Sequence, residues 1–197
     1  MMTKTIVVAS GNAGKIVQIK ETLADLGIEV KSMKEFNIEG PIENGKSYSE
    51  NALIKARNVF RFCNLPSLAD DSGFELEGLN KFPGLVSGRF ADACGGYKSS
   101  FEILEKCITE NKNAKFCTSM AFVFEKNGKV EEKIFDGSIE GKFIYPPRGT
   151  GGFGYCPCFQ PDGYEKTFAE MNDEFRESIN HRAVALKKFS EFFKNNF

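Results

Sequence analysis

The sequence predicts a globular protein of β-strands and α-helices, with one domain or one core split into two lobes by a cleft. Its 197 residues are 41% hydrophobic and include 20 Phe, which is enough for a Phe-rich core. The β-branched apolar run at residues 5–9 is typical of a buried strand. Apolar side chains then recur at helical spacing from Ile16 to Leu26, and Gly27 ends that pattern.

A glycine-rich turn lies between this strand and this helix, with the sequence Ser10-Gly11-Asn12-Ala13-Gly14-Lys15. The N–H groups and dipole of a helix N-terminus attract anions, and Lys15 adds a positive charge. The turn is not a Walker A loop, because Ile16 stands where that loop needs Ser or Thr. A phosphate site and an ordinary tight turn are both open.

The next stretch predicts a strand, a long loop and a helix. Ile28 and Val30 indicate the strand, and residues 33–46 form a polar loop of a length that is usually functional or mobile. Ser47 and Glu50 have the spacing of a capping box that opens the helix. The apolar stripe of this helix consists of Ala52, Leu53, Ala56, Val59 and Phe60. Lys55 lies at the edge of the stripe, so a surface role and an ammonium group directed into a cleft are both open.

The stretch at residues 68–74 contains two adjacent acids, Asp70 and Asp71. We expect a strand that carries these carboxylates at its end and then breaks at a Ser72-Gly73 turn. Carboxylates on a rigid strand end suit Mg²⁺, which prefers oxygen ligands. Asp, Ser and Gly are also common in solvated turns, so the pattern alone leaves both readings open.

The second half of the chain predicts further mixed structure. After a strand at Phe74 and Leu76 that extends to Leu79, we expect a helix at 101–108 and a hairpin at 115–134 across Asn127-Gly128. Residues 148–155 are too rich in glycine for a core strand, and the loop presents flat aromatic faces at Phe153 and Tyr155. A final helix carries Asn180-His181-Arg182 near its start. His181, the single histidine, is either a structural residue or a donor to a carbonyl oxygen.

Charge and composition argue against several classes of protein. The chain has 26 basic and 27 acidic residues and a net charge of −1, which does not suit an electrostatic nucleic-acid binder. Residues 1–8 contain no long apolar run and no segment reaches membrane-spanning length, so we expect a cytoplasmic protein without a membrane partner. The six cysteines form no C-x-x-C pair, and we expect free thiols and no structural zinc.

Together the motifs resemble the inosine triphosphate pyrophosphatase family, whose members hydrolyse deaminated purine nucleoside triphosphates. The matching segments, in order from residue 5 to about residue 193, are residues 10–15, 50–56, 69–73, 83–84, 151–155, 167–171 and 181–182. Each motif is weak by itself, but the ordered set is specific. The resemblance implies one pyrophosphatase domain over 1–197, with an α/β fold, a long mixed β-sheet, flanking helices and two lobes around a nucleotide cleft.

The same resemblance implies an activity and its residues. ITP, dITP and XTP are converted to the nucleoside monophosphate and pyrophosphate, which cleanses the nucleotide pool, and the enzyme is a Mg²⁺-dependent homodimer. Asp71 is the implied catalytic proton acceptor, and Glu43 and Asp71 provide the metal environment. The implied substrate-binding residues are Ser10, Gly11, Asn12, Ala13, Gly14, Lys15, Lys55 and Ser72, and around the base Phe153, Gly154, Tyr155, Cys156, Arg176, His181 and Arg182.

The chain departs from the family pattern at three positions in the segments that the resemblance places around the base. Cys156 replaces the usual Asp, Asn180 replaces Ser, and Arg176 replaces Lys. The usual Asp contacts the base or braces its loop, and the sequence favours bracing because Pro157 and the glycines indicate a turn. A pyrophosphatase of shifted base specificity and a nucleotide sensor without hydrolysis therefore stay open as alternatives.

Overall fold

The computed structural model of the chain describes residues 4–197, without the side chain of Lys4. Strands and helices alternate along the described residues. The strands are β1 (Lys4–Val8), β2 (Ile28–Ser32), β3 (Ser67–Leu76), β4 (Phe82–Gly84), β5 (Asn113–Lys126), β6 (Lys129–Phe143) and β7 (Phe159–Pro161). The α-helices are α1 (Ala13–Leu23), α2 (Tyr48–Cys63), α3 (Ser87–Ala93), α4 (Tyr97–Cys107), α5 (Asp173–Ile179) and α6 (His181–Asn196). Short 3₁₀ turns occupy Ala24–Leu26, Met33–Phe36, Glu77–Leu79, Cys156–Cys158 and Phe168–Glu170.

All of these strands belong to one mixed sheet, which confirms the predicted α/β fold. The strand order is β2-β1-β3-β5-β6-β7, and β4 pairs with β3. β1 runs parallel to β2 and β3, whereas β4 is antiparallel to β3 and β7 is antiparallel to β6. The register aligns Val8 of β1 with Leu68 of β3, so Asp70 and Asp71 lie beside the turn that follows β1.

The chain divides into two compact units, each made of separate segments. Among the described residues, the first unit contains 4–71, 118–136 and 184–197, and the second contains 72–117 and 137–183. The single domain predicted over 1–197 stays a prediction, and residues 1–3 of that range lie outside the described part. None of the helices described for residues 4–197 is long and apolar enough to cross a bilayer.

The core of the first unit covers both faces of β1. Ile6 and Val8 pack in one group of buried side chains with residues of α1 and α6. Val7 and Ala9 pack in a second group with Ala52 and other residues of α2. A strand that is buried on both faces needs apolar residues at every position, which explains the continuous run seen in the sequence.

The core of the second unit is rich in phenylalanine, as the composition predicts. The ring centroid of Phe116 lies 5.0 Å from that of Phe74 and 4.9 Å from that of Phe159. The Phe159 and Phe168 centroids are 5.0 Å apart. Tilted and edge-to-face pairs of this kind contribute beyond the apolar area they bury.

Two local signals in the sequence produce the predicted structure. Gly27 ends the first helical segment with φ +64°, a left-handed conformation that glycine adopts without steric cost. Asn127 and Gly128 have φ values of +53° and +73°, as a type I′ hairpin turn requires, and the hairpin strands are longer than predicted.

The turn predicted after Asp71 is wrong. β3 continues from Ser67 to Leu76, so Asp70 and Asp71 lie in the middle of a strand rather than at its end. Ser72 and Gly73 adopt the strand because Phe74 beyond them is anchored in the core and pairs with Gly84 of β4. The strand stops at Leu76, and Leu79 belongs to a 3₁₀ turn instead of the predicted strand.

Two predicted helix features also differ from the structure. Ser47 caps α2 by accepting a hydrogen bond from the Glu50 amide at 3.2 Å, but the Glu50 carboxylate accepts from the amide of Lys46. The capping box is therefore half formed. The final helix is interrupted at Asn180, whose ψ of 169° is extended, and this break separates α5 from α6.

Candidate active site

The turn after β1 is fixed by its own side chains. The Ser10 hydroxyl accepts a hydrogen bond from the Asn12 amide at 3.1 Å, and Asn12 Oδ1 accepts one from the Lys15 amide at 3.1 Å. Asn12 is thus the N-cap of α1, and Ala13 and Gly14 form the first turn of this helix. The first amides of a helix have no intrahelical acceptor, so this end of α1 has donors that an anion could use.

Two lysines approach the carboxylates of β3 from different helices. Nζ of Lys15, on α1, lies 2.8 Å from Oδ2 of Asp70. Nζ of Lys55, on α2, lies 3.0 Å from Oδ1 of Asp71 and 3.1 Å from Oε2 of Glu43. The Lys55 side chain is only 13% exposed, so the structure decides between the two roles left open by the sequence. Lys55 directs its ammonium group to the carboxylates.

Burial and charge act in opposite directions on the pKa values of this pair. Burial is the largest influence on Lys55 and lowers its pKa, but Asp71, Asp70 and Glu43 together outweigh it and the pKa is raised. Lys55 is therefore firmly protonated. Burial is also the largest influence on Asp71 and raises its pKa, against the charge of Lys55 and a hydrogen bond from Asn51. A carboxylate with a raised pKa is a stronger base than an ordinary aspartate.

Asn51 is a site residue to which the sequence analysis assigned no role. Its Nδ2 donates to Oδ2 of Asp71 at 3.1 Å, and its Oδ1 accepts from the amide of Gly45 at 2.8 Å. Asn51 is buried, so it ties the loop that carries Glu43 to the catalytic candidate. A Cβ atom at Gly45 would lie 2.7 Å from Asn51 Oδ1, which explains the glycine. The sequence signal that could have identified Asn51 is its position as an amide residue beside the apolar stripe of α2.

These groups line one pocket of about 380 Å³ within the first unit. Its lining includes Ser10, Gly11, Asn12, Lys15, Glu43, Lys55, Asp70 and Asp71. The structure thereby brings most of the predicted phosphate and metal residues together. Ser72 belongs to the second unit. It is not among the described residues that line this pocket.

The carboxylates of this pocket fit a magnesium ion that also binds phosphate. Across residues 4–197 the structure shows no group of three or more side chains already converged as metal ligands. Mg²⁺ in phosphate-transfer sites needs only one or two carboxylates, because water and substrate oxygens complete its coordination. Glu43 and Asp71 can supply those two, since both already hold a cation, the ammonium group of Lys55.

A smaller pocket in the second unit collects most of the predicted base-end residues. It is lined by Phe116, Phe153, Cys156, Phe168, Arg176, Glu177, Asn180, His181 and Arg182. The imidazole of His181 stacks on the Phe116 ring, with centroids 5.1 Å apart and an interplanar angle of 10°. The pocket is small, with a volume of about 30 Å³.

Tyr155 differs from the expectation that it offers a flat face to a base. Its ring is 2% exposed and stacks on Phe74 with centroids 4.8 Å apart. Its hydroxyl donates to the carbonyl of Ser87 at 3.0 Å, and burial raises its pKa. Tyr155 therefore belongs to the aromatic core, whereas Phe153 is half exposed and lines the small pocket. The sequence alone does not show whether an aromatic residue next to a glycine lies in the aromatic core or lines the small pocket.

The glycine-rich loop is held by the segment that contains Thr167 and Ala169. The Gly151 amide donates to the Ala169 carbonyl at 2.9 Å, and the Thr167 hydroxyl donates to the Arg148 carbonyl at 2.9 Å. Gly149 has φ +81°, and a Cβ atom there would lie 2.4 Å from the carbonyl carbon of Ala169. Backbone packing therefore requires this glycine, and the Thr167–Ala169 motif positions the loop.

Asn180 and Arg176, two of the departures from the family pattern, both form defined contacts. Asn180 Oδ1 accepts from the Ala183 amide at 2.9 Å and so caps the N-terminus of α6. Asn and Ser are comparably strong N-caps, so this departure preserves the start of α6 at His181. The buried Arg176 places Nη1 2.9 Å from Oδ1 of Asp173 and also pairs with Glu177.

The Ham1 family model matches residues 6–192. The dITP/XTP pyrophosphatase of Rhizobium meliloti is 38% identical to this chain over an alignment of 209 positions. The alignment covers 97% of this chain and 96% of that protein. A HAM1 protein from Coxiella burnetii has a similar structure, with a TM-score of 0.88 and 34% identity over 98% of this chain and 99% of that one. The Staphylococcus aureus Ham1 protein gives a TM-score of 0.84 and 31% identity over 98% and 100% of the two chains.

Proposed function

The chain belongs to the Ham1 family, and on this premise we propose that it hydrolyses ITP, dITP and XTP to the nucleoside monophosphate and pyrophosphate. The resemblance read from the sequence motifs is thereby confirmed at the level of the family. The observation that carries the proposal is the pocket of the first unit, where a helix N-terminus, two lysines and three carboxylates meet. Two relatives that are 38% and 37% identical to this chain are named dITP/XTP pyrophosphatases.

We assign the phosphates to this pocket. The amides at the start of α1 attract one phosphate group, and Lys15 and Lys55 provide two full positive charges. In the structure both lysines are held by carboxylates, so phosphate binding exchanges one anionic partner for another. The same groups stabilise the negative charge that develops on the leaving pyrophosphate.

Asp71 is the proposed proton acceptor for the attacking water. It lies on a strand, its side chain is held by Asn51 and Lys55, and its raised pKa suits a general base. Glu43 and Asp71 are the proposed ligands of Mg²⁺. When bound, the ion neutralises charge on the phosphates and orients them.

The small pocket of the second unit is the proposed base site. His181 or Arg182 would donate to the O6 carbonyl of hypoxanthine, where adenine presents an amino group instead. An unpaired buried donor costs about 1–3 kcal/mol, which favours the deaminated purine. Phe153, which is half exposed, lines this pocket and offers a flat face to the base.

A substrate panel tests the proposal. The protein is incubated with Mg²⁺ and each of ITP, dITP, XTP, ATP, GTP, CTP and dUTP, and pyrophosphate and orthophosphate are measured separately. We expect pyrophosphate from the first three nucleotides and none when EDTA removes the metal. Orthophosphate release from intact ITP would contradict the reaction type. Preference for a pyrimidine nucleotide would favour the alternative of shifted specificity, and tight binding without any product would favour a sensor.

The quaternary structure and location complete the proposal. Family resemblance supports a homodimer, which a molar mass measurement by light scattering in solution tests. It also supports a cytoplasmic enzyme that acts on free nucleotides rather than on nucleic acid, in keeping with a net charge of −1.

A further inference from the structure

The short turn that follows β2 carries a lysine beside the pocket of the first unit. Lys34 lies in the 3₁₀ turn Met33–Phe36, and the neighbouring Met33 lines that pocket. We propose that Lys34 is a third phosphate-binding lysine of this chain and that it binds the pyrophosphate half of the triphosphate. This inference rests on the proposed function and adds a binding residue to it.

The topology of the sheet brings this turn to the pocket. β1 and β2 are parallel neighbours, and Val8, the last residue of β1, is aligned with Ser32, the last residue of β2. The turn that follows β1 and the turn that follows β2 therefore begin at the same edge of the sheet. In open sheets of parallel strands, ligands bind at this edge, outside the carboxyl ends of the strands.

The backbone of the turn is held by local hydrogen bonds. The Ser32 hydroxyl accepts from the Lys34 amide at 3.3 Å, and the Ser32 amide donates to Oε1 of Glu35 at 2.7 Å, which completes a capping box. The amide of the buried Ile38 donates to the Met33 carbonyl at 3.1 Å. The backbone therefore presents the Lys34 side chain from a fixed position.

The Lys34 side chain extends to the glycine-rich turn that precedes α1. A Cβ atom at Gly11 would lie 3.9 Å from Cε of Lys34, which is the distance of an ordinary van der Waals contact. Gly11 lines the pocket, and Cε is the atom that carries the ammonium group. Lys34 is exposed and is not among the described residues of the lining, so its charge lies at the rim of the pocket.

Lys34 brings a positive charge that is not paired with a carboxylate. The two lysines of the lining, Lys15 and Lys55, both form ion pairs with carboxylates. Within residues 4–197 no ion pair includes Lys34. An ammonium group on a flexible four-carbon stem acts as a point charge that can follow a phosphate. Lys34 therefore adds an attraction for polyphosphate that the two paired lysines provide only after they exchange partners.

The charge distribution of the substrate indicates which phosphates Lys34 binds. The β- and γ-phosphates carry most of the negative charge of a nucleoside triphosphate, and they leave together as pyrophosphate. Glu43 and Asp71 are the proposed metal ligands, whereas the first amides of α1 and the ammonium group of Lys34 attract anions directly. The most anionic part of the substrate is therefore bound on the side of α1 and Lys34.

Calorimetry with inorganic pyrophosphate and Mg²⁺ tests this assignment without hydrolysis of a nucleotide. Lys34→Gln should weaken pyrophosphate binding about threefold to fivefold, because an exposed ion pair contributes a modest attraction. The same variant should keep its affinity for IMP, and Lys34→Arg, which keeps the charge, should bind pyrophosphate like the wild type. Lys20→Gln is the matched control, since Lys20 is an exposed lysine near the other end of α1 and its replacement changes the net charge equally.

Steady-state kinetics of ITP hydrolysis give the second readout. A contact made equally in the ground state and the transition state changes KM and not kcat, so KM should rise by the same factor in Lys34→Gln. Its difference from the wild type should shrink as salt screens the charge.

Three results would overturn the inference: unchanged pyrophosphate binding in Lys34→Gln, an equal loss in Lys20→Gln, or equal losses for pyrophosphate and IMP. Melting temperatures establish that each variant is folded. Absence of pyrophosphate release from ITP by the wild-type protein would overturn the proposed function instead.

Discussion

At the scale of single residues, the charges that line the pocket of the first unit are nearly balanced. Glu43, Asp70 and Asp71 face Lys15 and Lys55, and each contact between them is about 3 Å long. Removing one partner of a partly buried ion pair leaves a charge that is costly to keep out of water. The lysines therefore hold these carboxylates in place at the proposed phosphate and metal site.

Replacing Asp71 by Asn should lower kcat for ITP by about 100-fold or more and leave the fold intact, because the amide keeps the shape and loses the basicity. Steady-state kinetics at saturating Mg²⁺ and the melting temperature give both readouts. Asp25→Asn, at an exposed position of the same unit, is the control. Near-normal turnover in Asp71→Asn would move the role of base to Glu43 or Asp70.

At the scale of elements, helix α2 anchors the loop that precedes it. Asn51 binds the Gly45 amide, and Asn58 Nδ2 donates to the Glu39 carbonyl at 2.9 Å. Both asparagines therefore fasten the same loop to the same helix. Only Asn51 also contacts Asp71, so it connects the position of Glu43 with that of the proposed base.

Asn51→Ala should raise the Mg²⁺ concentration needed for half-maximal activity by about tenfold, because the loop of Glu43 and the Asp71 carboxylate both lose a hydrogen bond of about 1–2 kcal/mol. Asn58→Ala removes the other attachment and should change stability while leaving the Mg²⁺ requirement nearly unchanged. Metal titrations of ITP hydrolysis measure the effect. An equal change in both variants would mean that general loosening of the loop, and not the contact with Asp71, sets metal affinity.

At the scale of the whole molecule, the two compact units share their secondary structure elements. The boundaries at 71/72, 117/118 and 136/137 fall inside β3, β5 and β6, and the boundary at 183/184 falls inside α6. Boundaries between independent domains usually lie in exposed linkers. The positions of these boundaries therefore favour the single domain predicted from the sequence.

Urea unfolding should accordingly show one cooperative transition. Four of the five tyrosines lie in the second unit, so tyrosine fluorescence reports mainly on that unit, whereas far-ultraviolet circular dichroism also follows α1 and α2 of the first unit. We expect the two signals to have the same midpoint, as two-state unfolding requires. Separate midpoints would show that the units unfold independently and would contradict the single domain.

The sequence by itself determined the features that depend on neighbouring residues. The helical spacing before Gly27, the Ser47 cap and the Asn127-Gly128 turn each act within a few residues, so their structures follow from local sterics and hydrogen bonds. The continuous apolar run of β1 likewise indicated a strand buried on both faces. The order of the short motifs was sufficient to identify the family before any contact was known.

Only the tertiary structure decided which of these residues meet. Asp70 and Asp71 lie within a strand because β4 pairs beyond them, and Tyr155 is a core residue because Phe74 covers its ring. Lys15 reaches Asp70 across 55 positions of sequence, and Cys156 and Glu177 line one pocket from separate elements. Such contacts depend on how distant segments pack, and the packing is fixed by the buried apolar surface of the whole chain rather than by any short pattern.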